Sequence, residues 1–164
     1  GKLNIMCAWD EDAYARVKPI LDILGENVFH LGKLGNGHTI KLINNYFAMT
    51  TAISMAEAFA LADEAGIARQ SLYEVMAAGP NHSGMMQFIR NYATDGQIDL
   101  AFSAQNAAKD VGYYRQMAED LGLNSRMSGA ANATLAEIVA GGAGDLMVPQ
   151  IVDWMAENLG RKSS

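Results

Sequence analysis

The chain has 164 residues, half of them hydrophobic, and 18 acidic against 12 basic side chains give a formal net charge of -6. That is enough apolar residue for the core of one domain plus a piece of another, and the acidic balance argues against a nucleic-acid partner, whose footprint is a basic stripe. The lone cysteine, Cys7, excludes an internal disulfide and any cysteine-built metal site, and it reads as a small buried hydrophobe.

Leu3 to Ala8 is a short apolar run that ends at Trp9-Asp10-Glu11-Asp12 and reads as a buried strand. Asp10 is the N-cap candidate for a helix over residues 11 to 24, where Tyr14, Val17, Ile20, Leu21 and Leu24 recur with the helical period. Gly25 closes it, and Pro19 falls inside it, where a missing N-H favours a kink. Asn27 to Leu31 is a second strand, so the first thirty residues form a βαβ unit with a parallel pairing. Two strands cannot cover both faces of such a sheet, which makes residues 1 to 31 the expected tail of a larger α/β domain.

Gly32, Gly35 and Gly37 then permit a tight turn, and no Pro or Gly follows until Gly66. A helix is expected from about Gly37 to Ala65. It would be roughly 43 Å long, and its apolar residues spread around the wheel, so it reads as a spine packed on all sides and shared with a second subunit. Shorter helices are expected over 68 to 78, stopped by Gly79-Pro80, and over 85 to 92, stopped by Thr94-Asp95-Gly96. A long helix follows from Ser103 to Leu121, with Gly122 as its end. Residues 126 to 140 are rich in alanine, which lets helices approach closely; Gly141 to Gly144 breaks the chain, and a last helix is expected from about Asp145 through Trp154 to Leu159.

The apolar run Leu42 to Ala56 is shorter than the ~20 residues a membrane span needs and carries Asn44, Asn45, Thr50, Thr51 and Ser54. No signal peptide is visible, so a cytoplasmic protein with no membrane partner is expected. The ten methionines read as adaptable core filling. His30, His38 and His82 share no metal spacing.

Lys41 and Asn45 are four residues apart, so both project from one face of the spine's first turns. Near a helix N-terminus, a cation and a carboxamide can hold a carboxylate and handle a proton. On composition alone Lys41 is equally a snorkelling lysine, and Lys109-Asp110 is an ordinary solvated helix face. Gly35-Asn-Gly37 before a helix suggests a dinucleotide loop, but the third glycine would fall at position 40, where Ile stands. A glycine hinge fits better.

The run Gly32-x-x-Gly35-x-Gly37-x-x-x-Lys41-x-x-Asn44-Asn45 resembles the lysine motif of the β-hydroxyacid dehydrogenase family, which includes 3-hydroxyisobutyrate dehydrogenase and tartronate semialdehyde reductase. The likeness extends upstream through Gly1 to Met6 and downstream through Ala56 to Gly66 and the Phe102 to Asp110 segment. It covers the whole chain but only the C-terminal part of a family member. The resemblance implies a mainly α fold: an all-helical domain like the C-terminal domain of 6-phosphogluconate dehydrogenase, built on a long central helix, over residues 32 to 164. Residues 1 to 31 are then the βαβ remnant of a Rossmann domain.

It further implies that Lys41 is the catalytic acid-base group, needing a pKa lowered by burial and by the neighbouring helix N-terminus, with Asn45, Asn44 and Gly37 at the substrate. Phe102, Lys109 and Asp110 would approach the nicotinamide end of NAD or NADP. No metal is implied. Phosphogluconate dehydrogenases differ in having histidine where Asn44 stands and glutamate where Ala48 stands, and imine reductases usually replace the lysine. The implied activity is hydride transfer between nicotinamide and a small hydroxyacid or its semialdehyde, in a homo-oligomer, dimer or tetramer. The piece alone is expected to be inactive, because the cofactor loop lies in the part not matched. The competing expectation is a non-catalytic helical oligomerisation domain.

Overall fold

Asp10 caps the first helix of the computed structural model, which describes residues 2–159: its carboxylate accepts from the Ala13 N-H at 2.9 Å. Strand β1 (Leu3–Cys7), helix α1 (Glu11–Leu24) and strand β2 (Gly25–His30) form the βαβ unit, and the two strands pair in parallel. α1 runs through Pro19. Gly25 does not cap α1 in a left-handed turn. Its φ is -118°, and it enters β2 directly as the partner of Leu3. No residue of β1, α1 or β2 is fully buried, as expected where two parallel strands lack the covering layers such a sheet needs.

Helix α2 (Asn36–Glu64) follows, then α3 (Arg69–Ala77), α4 (Gly84–Asp95), α5 (Ala104–Asp120), α6 (Arg126–Ile138) and α7 (Ile151–Asn158). The chain divides into two compact units, Gly1–Asn44 and Asn45–Ser164. The second holds one core, built from Met49, Ala52, Ala56 and Phe59 of α2, Ile89 of α4, Val111 of α5, Leu135 and Ile138 of α6, and Val152 of α7. The chain therefore folds mainly as helices. The ends of α2, α4 and α5 lie where glycine signals placed them, since Gly66, Gly96 and Gly122 all take left-handed backbone.

Two expectations fail. The spine is not packed all round: Phe47 and Leu61 remain 70% and 69% exposed, because the core takes only the side of α2 that carries Ala52, Ala56 and Phe59. The last helix does not begin at Asp145. Residues 144 to 148 instead serve the start of α5: the carbonyls of Gly144 and Leu146 accept from the Gln105 and Ala104 N-H groups, and the Val148 N-H donates to the Phe102 carbonyl. Ser103 and Met147 form an antiparallel bridge. A helix N-terminus has unpaired N-H groups, and the turn and bend of this distant segment supply carbonyls to two of them. A short 3-10 turn (Val148–Gln150) then leads into α7.

Arg69 ties four helices together. Its guanidinium donates to Asp63 at 2.6 Å, to Asp153 at 3.0 Å and to the Ala93 carbonyl at 3.2 Å, while Tyr92 donates its hydroxyl to Asp153 at 2.7 Å. The hydrogen bond to Asp63 raises the Arg69 pKa above its ordinary value, and that to Asp153 raises Tyr92. Arg69→Met is expected to lower stability by about 1–3 kcal/mol, because the carboxylates lose charged hydrogen bonds at a partly buried site. A urea-melting series reads this, and a loss below about 0.5 kcal/mol, the scale of ordinary surface changes, would count against the clamp.

Candidate functional site

In the first unit, α2 starts hard against β1. Gly37 is buried, and a Cβ there would lie 2.8 Å from the Met6 carbonyl oxygen, a distance no side chain tolerates against backbone. Asn36 fixes the approach by donating its amide to the Leu31 carbonyl at 2.7 Å. This packing leaves a hollow of about 250 Å³ lined by Asn4, Met6, Gly37, His38 and Lys41. The Asn4 amide oxygen accepts from Asn27 at 2.8 Å, so its NH2 is left to donate elsewhere. Gly37 and Lys41 thus share one donor-rich hollow. Lys41 is exposed, so the burial invoked for it is not supplied by this chain. Asn44 is exposed and lines neither this hollow nor the cluster described next.

In the second unit, Asn45 donates its amide to Asp110 Oδ2 at 2.6 Å, across 65 residues of sequence. The other oxygen, Oδ1, lies 3.6 Å from the Lys109 ammonium. The Asp110 side chain is 18% exposed and that of Lys109 53%, so the carboxylate is sheltered and the lysine wet. An ionised carboxylate only accepts, so the Asn45 amide must present its NH2 to Asp110 and turn its carbonyl oxygen away. One residue further along α2, Tyr46 stacks on Tyr114 of α5 with centroids 4.0 Å apart and planes 8° from parallel. Asp110 and Tyr114 are one turn apart, so the two contacts set the register of α5 on α2. The tyrosine pair has no local signal in the sequence, since Tyr46 and Tyr114 stand on different helices.

Phe102 does not join this cluster. It is half-buried against the core, and its carbonyl is engaged by Val148. Lys41 belongs to the first unit and Asn45 to the second, and both are residues of α2. Among the described residues, no three His, Cys, Asp or Glu side chains are grouped to hold a metal, and no helix is long and apolar enough to cross a membrane.

Comparison with known proteins places these residues in a family frame. A family profile described as "NAD-binding of NADP-dependent 3-hydroxyisobutyrate dehydrogenase" matches residues 35–155. Over 132 residues the chain is 29% identical to glyoxylate/succinic semialdehyde reductase 2, chloroplastic, of Arabidopsis thaliana, covering 80% of this chain and 37% of that protein. It is 30% identical over 129 residues to the NAD-dependent L-serine dehydrogenase of Pseudomonas aeruginosa, covering 73% of this chain and 42% of the relative. A crystal structure of 3-hydroxyisobutyrate dehydrogenase from Salmonella typhimurium superposes with a TM-score of 0.83 at 26% identity, covering 93% of this chain and 54% of that one. The chain spans about half, or less, of the length of the relatives it matches.

Proposed function

The chain belongs to the 3-hydroxyisobutyrate dehydrogenase family, and from that premise we propose that it is part of an NAD(P)-dependent oxidoreductase interconverting a small 3-hydroxyacid and its semialdehyde. Residues 32 to 164 form its helical substrate domain, and residues 1 to 31 belong to its dinucleotide domain. The observation that carries this reading is the 2.6 Å hydrogen bond from Asn45 to Asp110, which joins the lysine-motif helix to the Lys-Asp pair of α5.

The donors of the first-unit hollow suit the nicotinamide end of the cofactor together with a substrate carboxylate: Lys41, His38, the Asn4 NH2 and the Gly37 N-H. The sequence contains no Gly-x-Gly-x-x-Gly run, so the pyrophosphate is assigned to residues outside this chain. The bound nicotinamide supplies a hydride acceptor for the carbinol C-H, or a hydride donor in reduction. Lys41 takes the hydroxyl proton as the carbonyl forms and returns it in the reverse direction. The role of Asn45, held by Asp110, is to present its carbonyl oxygen to the substrate. Lys109 offers a second cation at the rim. The protein works as a cytoplasmic homo-oligomer, dimer or tetramer.

The test is an assay of the full-length protein for nicotinamide reduction with a panel of small 3-hydroxyacids, and for oxidation of the reduced cofactor with the matching semialdehydes. Turnover on one pair in both directions is expected, and none on any member would overturn the reading. The 164-residue chain alone is expected to bind NAD(H) and NADP(H) poorly, since the glycine loop that holds the pyrophosphate is not in it. Calorimetric titration giving micromolar affinity for this chain would refute that division of labour.

A further inference from the structure

Two titratable side chains, His38 and Lys41, line the hollow of the first unit. They stand three residues apart on α2, a spacing that puts both on one face with Cβ atoms about 5–6 Å apart. A long helical side chain leans back toward the helix start, so the stem of Lys41 runs over the turn that carries His38. The rest of the lining is Asn4, Met6 and Gly37, none of which takes up or releases a proton near neutral pH. No carboxylate lines the hollow either, so nothing there pins the ammonium away from the ring. Neither His38 nor Lys41 has a hydrogen-bond or ion-pair partner among the described residues, and both are exposed. Contacts of this kind are often unmade without substrate and tighten when it binds.

We propose that His38 is the exit for the proton that Lys41 collects, passing it from the lysine ammonium to solvent during oxidation and bringing one back during reduction. The inference rests on the oxidoreductase reading above and deepens it. In oxidation the carbinol C-H bond breaks and its electron pair leaves with the hydrogen as hydride, while the hydroxyl proton goes to the neutral Lys41 Nζ. The ammonium so formed must lose that proton before the next turnover. One imidazole nitrogen of His38 accepts it, giving an imidazolium, which then releases a proton to water and returns to the neutral ring. The balance is one hydride to the nicotinamide and one proton to solvent. Imidazole suits this task because it both takes up and gives up a proton near neutral pH. Once a substrate occupies a hollow of about 250 Å³, little room is left for water beside the lysine, so a side chain is needed to carry the proton out.

The test uses the full-length protein on the hydroxyacid it turns over. His38→Gln keeps a hydrogen-bonding side chain but cannot titrate. It should lower kcat at least about tenfold, less than the loss expected for the acid-base group itself, and leave KM unchanged. Free imidazole added to the assay should restore the kcat of His38→Gln in a saturable way and should not speed the parent. A crystal structure with cofactor and substrate bound should place a His38 ring nitrogen about 2.6–3.2 Å from Lys41 Nζ, or join the two through one water. A ring turned away with no bridging water overturns the relay. So does a kcat that ignores His38→Gln, which would mean that Lys41 empties directly into water, and so does a rise in KM alone, which would make His38 a binding donor only. A loss of kcat that imidazole fails to restore counts as a structural effect and also overturns it. Each of these leaves the oxidoreductase reading intact, whereas a parent with no turnover on any hydroxyacid overturns both.

Discussion

Replacing Lys41 with alanine should cut turnover of the full-length enzyme by at least about a hundredfold, the lower end of what one positioned acid-base group contributes. Cofactor affinity and folding should stay close to the parent, because Lys41 is exposed and no ion pair holds it among the described residues. Lys41→Arg should fail as badly, since guanidinium keeps its proton at any relevant pH and cannot relay one. Steady-state kinetics on both variants, with a cofactor-binding control, reads the result. If Lys41→Ala kept turnover within about tenfold of the parent, Lys41 would be a snorkelling helix lysine after all, and a purely structural role for the helical domain would gain ground.

Asp110→Ala should lower kcat/KM by roughly 10- to 150-fold, the kinetic equivalent of losing a hydrogen bond to a charged group. The mechanism is indirect. The Asp110 carboxylate accepts the Asn45 amide at 2.6 Å, and without it nothing decides which end of that amide faces the reacting groups. Asp110→Asn should be milder, because a carboxamide oxygen still accepts from the Asn45 NH2. Asn45→Ala should cost about as much as Asp110→Ala, and the double variant little more than either alone, as expected when two residues act as one unit. Additive losses would show that Asp110 acts independently of Asn45, for instance through Lys109, whose ammonium lies 3.6 Å from its other oxygen.

Local signals in the sequence determined most of the elements. Asp10 marks the start of α1, the glycine-opened turn precedes α2, and Gly66, Gly96 and Gly122 mark helix ends because each stop needs left-handed backbone that glycine adopts without strain. The parallel βαβ unit follows from two apolar runs flanking an amphipathic helix. The motif around Lys41 carried the family resemblance, since the residue types and their spacing lie within a few turns of one helix. What only the tertiary structure decided depends on partners far away in the chain. Asp145 to Met147 read as the start of a helix, yet they form a turn, a bend and one bridge residue, and the unpaired N-H groups of α5, forty residues upstream, take the carbonyls of Gly144 and Leu146. The apolar wheel of α2 reads as packed on every side, yet its own core covers one side and leaves Phe47 and Leu61 bare. Asp110 reads as a solvated helix face, yet the fold shelters its carboxylate and gives it the Asn45 amide. A hydrogen bond across 65 residues leaves no periodic trace in sequence, because it depends on how two helices are set against each other and not on the pattern of either.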